Sequence, residues 1–464
     1  MKKVNHELLA VFLLVICVRL QWKIECFLEP NSHSATDFTP EEAYDYIIVG
    51  GGTAGCPLAA TLSEKYSVLL LERGGVASSD PNIVYEDRML NPILYTNPFD
   101  SPAQSFITED GVLNFRGRVL GGTSMINFGF YSRGDDYFYQ NSGIEWDMSA
   151  VNSAYEWVEN SIVTRTDHLR RWQASTYNAF VEAGVGPGNG FILDQFKLLS
   201  KANPDNLKVV VHAIVDRVIF STSEPLAATG VRYHDSNGTR HEVHVRTGGE
   251  VILSAGAIGS PQLLLLSGLG PNSSLLSLNI PVVRDHPFVG QFMADNPRNS
   301  INLLVPVRLT DVGVRVAGIT NSGPYVESLA IPRVTSLIPF IPNLNLIPPA
   351  NLSVVVFGGK VSRPKSTGSL NLISSFDVTV GPRVRFNYYS NTADLLQCRN
   401  IVDVFRNVLE TQAMEEYKFP SIIGPRRFSY IGPSIPPIPL MKSPLRLSVV
   451  KHWLHFGITM ADAW

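Results

Sequence analysis

One stretch constrains this chain more than any other, Tyr44 to Glu72, in which a short apolar run is followed at once by glycines at positions 50, 52 and 55. Tyr46 to Val49 has the composition of a strand, and the alanine- and leucine-rich run through Leu62 that of a helix. A second apolar run, Ser67 to Leu71, then delivers Glu72. This is the spacing of a dinucleotide-binding βαβ unit. Gly50 permits the tight turn, Gly52 lets the backbone approach a pyrophosphate, and Gly55 allows close contact between helix and sheet. The helix N-terminus offers unpaired N–H groups and partial positive charge to the phosphates. Glu72 can accept hydrogen bonds from both ribose hydroxyls and disfavours a 2′-phosphate, so FAD or NAD is expected over NADP. Three glycines alone can merely make a loop; the flanking strand, helix and acid give them a function, but the motif does not separate FAD from NAD.

At 464 residues, 45% of them hydrophobic, the chain can bury two domain cores. A net charge of −3 and the lack of any basic stripe argue against a nucleic-acid partner. Lys2 and Lys3 precede an apolar stretch from Leu8 to Val18 that is short for a bilayer span. Residues 1–26 are therefore expected to be a secretory signal, leaving no membrane segment after its removal. N-x-[ST] triplets at Asn237, Asn272 and Asn351 fit a secreted or vacuolar glycoprotein. Cys17 and Cys26 would leave with the signal; Cys56 and Cys398 are too few for a disulfide framework and show no zinc spacing.

Residues 76–116, polar and proline-rich, read as a long excursion over the cofactor. Gly117 to Asn127 pairs glycines with hydroxyl and amide side chains, which suits a backbone passing close to a flat ligand. Residues 145–163 have Val151, Ala154, Tyr155, Trp157 and Val158 at helical spacing and read as a packing helix. From Asn206 the pattern is β: Val209 and Val211 alternate with Val210 and His212, and Asn237-Gly238 is a hairpin turn between Val231–His234 and Arg240–Arg246. His241-Glu242-Val243-His244 invites a metal reading that fails, because positions three apart on a strand point to opposite faces. Gly249 to Gly256 reads as a strand returning to the nucleotide sheet, followed by a helix over 262–266 with Ser260 as N-cap and Pro261 at N1. Beyond Asp285, proline-rich stretches at 338–349 and 433–444 bracket strands and a helix from Thr392 to about Glu410. That pattern predicts a second, sheet-based domain over the cofactor.

Taken together these stretches resemble the glucose–methanol–choline (GMC) oxidoreductases, FAD enzymes. The match rests on the nucleotide unit, the first signature at Gly117 to Arg133, and the second from Gly256-Ala257-Ile258-Gly259-Ser260-Pro261 through Gly270. Within the family, Asn141 to Asp147, Ala154 to Glu159, Asn203 to Val209 and Asp295 to Asn299 are similar to the plant mandelonitrile lyase branch. The resemblance implies an α/β fold, a Rossmann-like FAD-binding domain interleaved with a smaller β-sheet substrate domain. Its parts would be 44–135 and 203–284 for FAD, 136–202 for the packing helix and lid segment, and 285–440 for the substrate domain. It implies FAD, with the pyrophosphate on Thr53 and Ala54 beside Gly50, Gly52 and Gly55, and the ribose on Glu72 with Arg73 next. Val119, Gly122, Thr123, Asn127, Phe128, Gly129 and Phe130 would line the flavin, with the backbone of Val211 at the adenine. A monomer acting on a small-molecule substrate is implied, an aromatic cyanohydrin cleaved to aldehyde and hydrogen cyanide, or an alcohol in the oxidoreductase alternative. In these lyases a histidine is the general base and positive potential stabilises the departing cyanide.

Two departures stand against the family pattern. Gly190 to Asp194 runs almost directly into Leu198 to Asn203, where relatives carry a longer segment beside the active site, so an internal deletion is expected. Residues 441–464 read as an aberrant tail: shifting the reading frame by one base from Phe456 permits Trp-His-Tyr-His-Gly-Gly-Cys-Leu, the family motif, which points to a frameshift from about residue 445. No catalytic residue is assigned, since the family histidines would lie in the missing segments. A catalytically dead flavoprotein is the third expectation.

Overall fold

The computed structural model describes residues 32–84, 91–127, 131, 133–134, 136–165, 169–189, 191–193, 202–310, 316–320, 323–331, 352–420 and 425–431. Residues 1–31 with Cys17 and Cys26, Phe128 to Phe130, Asn351, both proline-rich stretches and residues 441–464 lie outside the described residues.

Seven strands form the larger sheet: β1 (Ser32–Ser34), β2 (Ala43–Val49), β3 (Val68–Leu71), β4 (Leu207–Val211), β5 (Ile214–Phe220), β6 (Ala228–His234) and β7 (Arg240–Leu253), in the order β1-β4-β3-β2-β7-β6-β5. β1, β4, β3, β2 and β7 run parallel, with Tyr46 opposite Val68 and Ile47 opposite Val251. Every residue of β3 is buried, as expected of a parallel strand covered on both faces. The same holds for Val209, Val210 and Val211, so β4 lacks the alternation read from its sequence; it lies between β1 and β3 with no solvated face. β6 and β7 make the expected hairpin, its turn held by Asp235, whose carboxylate accepts from the N–H groups of Asn237 and Thr239 at 2.9 Å. β7 continues past the hairpin and, after a register shift, pairs through Leu253 with Val49. His241 stacks on Tyr233 and reaches Asp235, while His244 is exposed.

Among the described residues the α-helices of eight or more residues are α1 (Gly55–Leu62), α2 (Met148–Ile162), α3 (Arg171–Glu182), α4 (Gly256–Leu266) and α5 (Thr392–Leu409). α2 begins where expected, capped by Asp147, but Ala154 is exposed and Val151, Tyr155, Trp157 and Val158 only half-buried. α4 starts at Gly256, six residues before the helix read from sequence. Gly256 adopts φ +80°, which lets the chain turn from β7 straight into the helix. Pro261 therefore lies inside the helix, and the Ser260 hydroxyl receives the N–H of Ala255 instead of capping.

A second, antiparallel sheet has the order Ser429–Ile431, Arg298–Val305, Ser353–Lys360, Tyr325–Ile331, Val316–Ile319, Gly186–Asn189. α5 presents Leu395, Cys398, Ile401, Val402, Phe405, Val408 and Leu409 at helical spacing, and with α3 it closes this core around Trp172 and Phe357. Between the sheets, part of the 76–116 excursion is regular after all: Ala103–Ile107 and Leu113–Gly117 form a hairpin. Asp110 at its turn accepts from the N–H groups of Phe386 and Asn387, tying the hairpin to the chain just after the strand Arg383–Arg385.

Trp172 is fully buried against Phe357 and Tyr417, and its indole N–H donates to the buried hydroxyl of Ser328 at 2.9 Å. Trp172→Ala is expected to cost about 3–5 kcal/mol, and Trp172→Phe about 1–3 kcal/mol by leaving Ser328 unpaired. Urea unfolding followed by far-ultraviolet circular dichroism measures both; a surface-like loss below about 0.5 kcal/mol for the alanine variant would refute this account of the core.

Candidate cofactor cleft

At the C-terminal end of β2 three glycines have three distinct jobs. Gly50 takes φ +102°, and a Cβ there would stand 2.5 Å from the Ser254 carbonyl. Gly55 lets α1 press on the same turn, its hypothetical Cβ 2.0 Å from the Gly50 carbonyl. Gly52 is different: its nearest neighbour is Gly122 Cα, 3.7 Å from a Cβ, so it faces open space above a bare backbone. Gly122 in turn (φ +67°) has no room for a side chain, since its Cβ would lie 2.6 Å from Gly52 Cα. The two segments are joined by the Gly121 N–H, which donates to the Gly51 carbonyl at 2.6 Å, and by Thr53 and Ser124, whose hydroxyls are 2.6 Å apart.

Above this floor opens a cleft of about 830 Å³. It brings together Gly50, Gly52, Thr53, Ala54, Glu72, Arg73, Gly122 and Thr123 from the residues singled out in the sequence. Gly55, Val119, Asn127 and Val211 are off its lining: Val119 is buried and bridges to Gly75, and the Val211 carbonyl accepts from Ala35 at 3.0 Å. Glu72 is buried, with one oxygen accepting from the Gly51 N–H at 2.9 Å and the other from the Gly74 N–H at 2.8 Å. Burial pushes its carboxyl pKa up, while those amides and Arg73 oppose the shift.

Other lining residues lie in stretches quoted from the sequence without being singled out: Gly256 to Ser260 in the second signature, Arg118 in the first, Asp295 in the run to Asn299, and Gln104, Phe115 and Arg116 in the excursion. Ala213 to Val215, Ser254, Ala255 and Gln262, and on a further wall Met293, Ala294, Val378, Thr379 and Phe386, were not read as lining. Gln262 holds the last wall in place, its amide donating to the carbonyls of Val378 and Val380 at 2.9 and 3.0 Å. Among the described residues no histidine lines the cleft. Besides Glu72, the carboxylate on the lining is Asp295, which accepts a hydrogen bond from the Tyr388 hydroxyl and whose pKa burial pushes up. Behind it lie the buried Arg298–Glu327 pair at 2.9 Å and Lys360, whose pKa burial lowers to about 8. A side-chain-free floor, a helix N-terminus and a buried acid within one cleft fit a dinucleotide.

The model of the family described as GMC oxidoreductase matches residues 44–191 and 194–298. The chain belongs to the GMC oxidoreductase family. FAD is the cofactor of this family. Sinalpyl alcohol oxidase Nec3 of Nesocodon mauritianus is 49% identical over 92% of this chain and 82% of its own length. (R)-Mandelonitrile lyase 1 of Prunus serotina is 46% identical over 92% of the chain and 80% of its own. Among solved structures, a formate oxidase of Aspergillus oryzae superposes with a TM-score of 0.70 at 19% identity, covering 90% of this chain and 87% of that one. A pyridoxine 4-oxidase gives 0.70 at 19%, covering 89% and 86%; both likenesses concern the fold. In this GMC protein the family match breaks between residues 191 and 194, at the junction where the sequence suggests a missing segment.

Gly122→Ala is expected to lose about 1–3 kcal/mol through the clash with Gly52 and to weaken FAD binding at least about tenfold as the floor is pushed apart. Gly238→Ala, with φ +80° but nothing within 4 Å of a Cβ, should lose stability alone. Thermal unfolding and flavin fluorescence titration separate the two effects.

Proposed function

We propose that this chain holds FAD along the cleft and is of mandelonitrile lyase type, cleaving an aromatic cyanohydrin to an aldehyde and hydrogen cyanide. The diphosphate would lie at the N-terminus of α1 over Gly52, Thr53 and Ala54, the ribose on Glu72 with Arg73 next, and the flavin toward Gly122 and Thr123. The observation that carries the reading is the joint one of the glycine floor and the similarity, at 46% over 92% of the chain, to a (R)-mandelonitrile lyase. Bound FAD supplies a flat wall in lyase chemistry and a hydride acceptor in alcohol oxidation. The protein's part is to bind and orient: the floor excludes side chains, and Asp295, with Lys360 and Arg298 behind it, sets the charge of the opposite wall.

Oxidation of an alcohol is the second reading, favoured by the 49% identity to an alcohol oxidase. We also propose passage through the secretory pathway to a secreted or vacuolar monomer; Asn237, in its hairpin turn, and Asn272 are exposed and open to glycosylation. No helix among the described residues is long and apolar enough to cross a membrane.

The test uses purified protein loaded with FAD. Cyanide release from mandelonitrile would support the lyase. Anaerobic bleaching of the flavin by an aromatic alcohol without cyanide release would replace the lyase with the oxidase, and retained yellow colour with neither reaction would leave a flavin-binding protein without activity.

A further inference from the structure

Three arginines, Arg73, Arg116 and Arg118, share one wall of the cleft, and none forms an ion pair among the described residues. Arg118 is fully occupied by backbone, donating to the carbonyls of Ser101, Pro98 and Asn97 at 3.0, 2.8 and 3.2 Å. Arg73 donates to Gln104 Oε1 at 2.7 Å and to the Gly117 carbonyl at 2.9 Å. Arg116 gives only its Nε–H, at 2.9 Å, to the same Gln104 oxygen. Its two Nη groups donate to nothing among the described residues.

The nearby acids do not answer this charge. Both oxygens of Glu72 receive backbone amides, and Asp100 acts on Arg118. Burial, and then the charges of Arg73 and Arg118, depress the Arg116 pKa well below its ordinary value. Arg116 is half-buried on the cleft lining, and a partly desolvated guanidinium with unpaired Nη groups favours a ligand that brings negative charge to it. The position says what that is. Arg116 and Arg118 flank Gly117, whose Cβ would meet Gly122 at 2.4 Å, and Gly122 lies on Gly52 at the mouth of α1. Arg116 lines the same cleft as Gly52, Thr53 and Ala54 at that mouth, and a planar fork and a helix N-terminus both favour phosphate oxygens.

We propose that Arg116 is a positioning residue for the FAD diphosphate, its Nη edge taking phosphate oxygens across from the α1 N-terminus, with Gln104 holding Arg116 and Arg73 side by side. This rests on the reading that the cleft holds FAD.

Isothermal titration of the full chain, stripped of nucleotide, with FAD, ADP, adenosine and inorganic phosphate tests it. Arg116→Gln should weaken FAD and ADP about ten- to hundredfold and leave adenosine within about twofold; Arg116→Lys should recover part of the loss. Gln104→Glu places a carboxylate between Arg73 and Arg116, so it should raise the melting temperature of the ligand-free protein while weakening ADP. A merely structural Arg116 would not couple those opposite changes. Unchanged ADP affinity in Arg116→Gln, an equal loss for adenosine, or tighter ADP binding in Gln104→Glu would each overturn the proposal, and the last remains readable if Arg116→Gln does not fold. Arg116-dependent ADP binding without FAD binding would remove the flavin reading and keep the subsite; a parent chain that binds neither nucleotide would remove both, and a parent that binds inorganic phosphate as tightly as ADP would show a general anion site and overturn the assignment to the diphosphate.

Discussion

Two backbones meet with no side chain between them where Gly52 lies under Gly122, and the rest of the cleft is built outward from that contact. On one side the turn is pinned because Gly50 lies against the Ser254 carbonyl, and Gly55 against the Gly50 carbonyl and the Ser254 hydroxyl. On the other, the Gly121 N–H ties the Gly122 segment to Gly51. Any Cβ at position 122 would separate strand and hairpin by more than a thermal fluctuation of a packed core provides. The floor is therefore defined sterically, before any charge is considered.

Charge then gives the floor its polarity. The N-terminus of α1 and three arginines stand on one side, and the one buried carboxylate among them, Glu72, has both oxygens on amide groups. Burial is the first cause that lowers the pKa of each of Arg73, Arg116 and Arg118, so the ligand-free cleft holds partly desolvated positive charge. An anionic ligand would relieve it, so stability and occupancy are thermodynamically linked here.

How much of this could be read from the chain follows from how local each cause is. The βαβ unit was legible because φ at Gly50, the apolar run of β3 and the acid at its end are all fixed within thirty residues or so of sequence. The start of α4 was misread because Ser260-Pro261 has every local mark of a helix N-terminus, while the real start depends on Gly256 leaving β7 with positive φ. β4 was read as one-faced because its position between two strands is tertiary information. Gln104 and Arg116 were invisible for the same reason: they lie twelve residues apart and meet only when the hairpin closes, with Gln104 opposite Arg116 in register.

The opposite wall obeys different physics. Asp295 enters the cleft from a sheet whose interior carries Arg298, Glu327 and Lys360, and such buried charges are tolerated only when each has a partner. Removing any one leaves another unpaired, so the group fixes Asp295 and its Tyr388 donor in one arrangement. The glycine floor belongs to a fold shared with oxidases at 19% identity, whereas lyase and alcohol oxidase stand together at 46% and 49%. A common grip on the nucleotide cannot by itself select between carbon–carbon cleavage and hydride removal. The selection has to come from outside the glycine floor, and on the opposite wall one titratable acid backed by two buried cations sets the local potential.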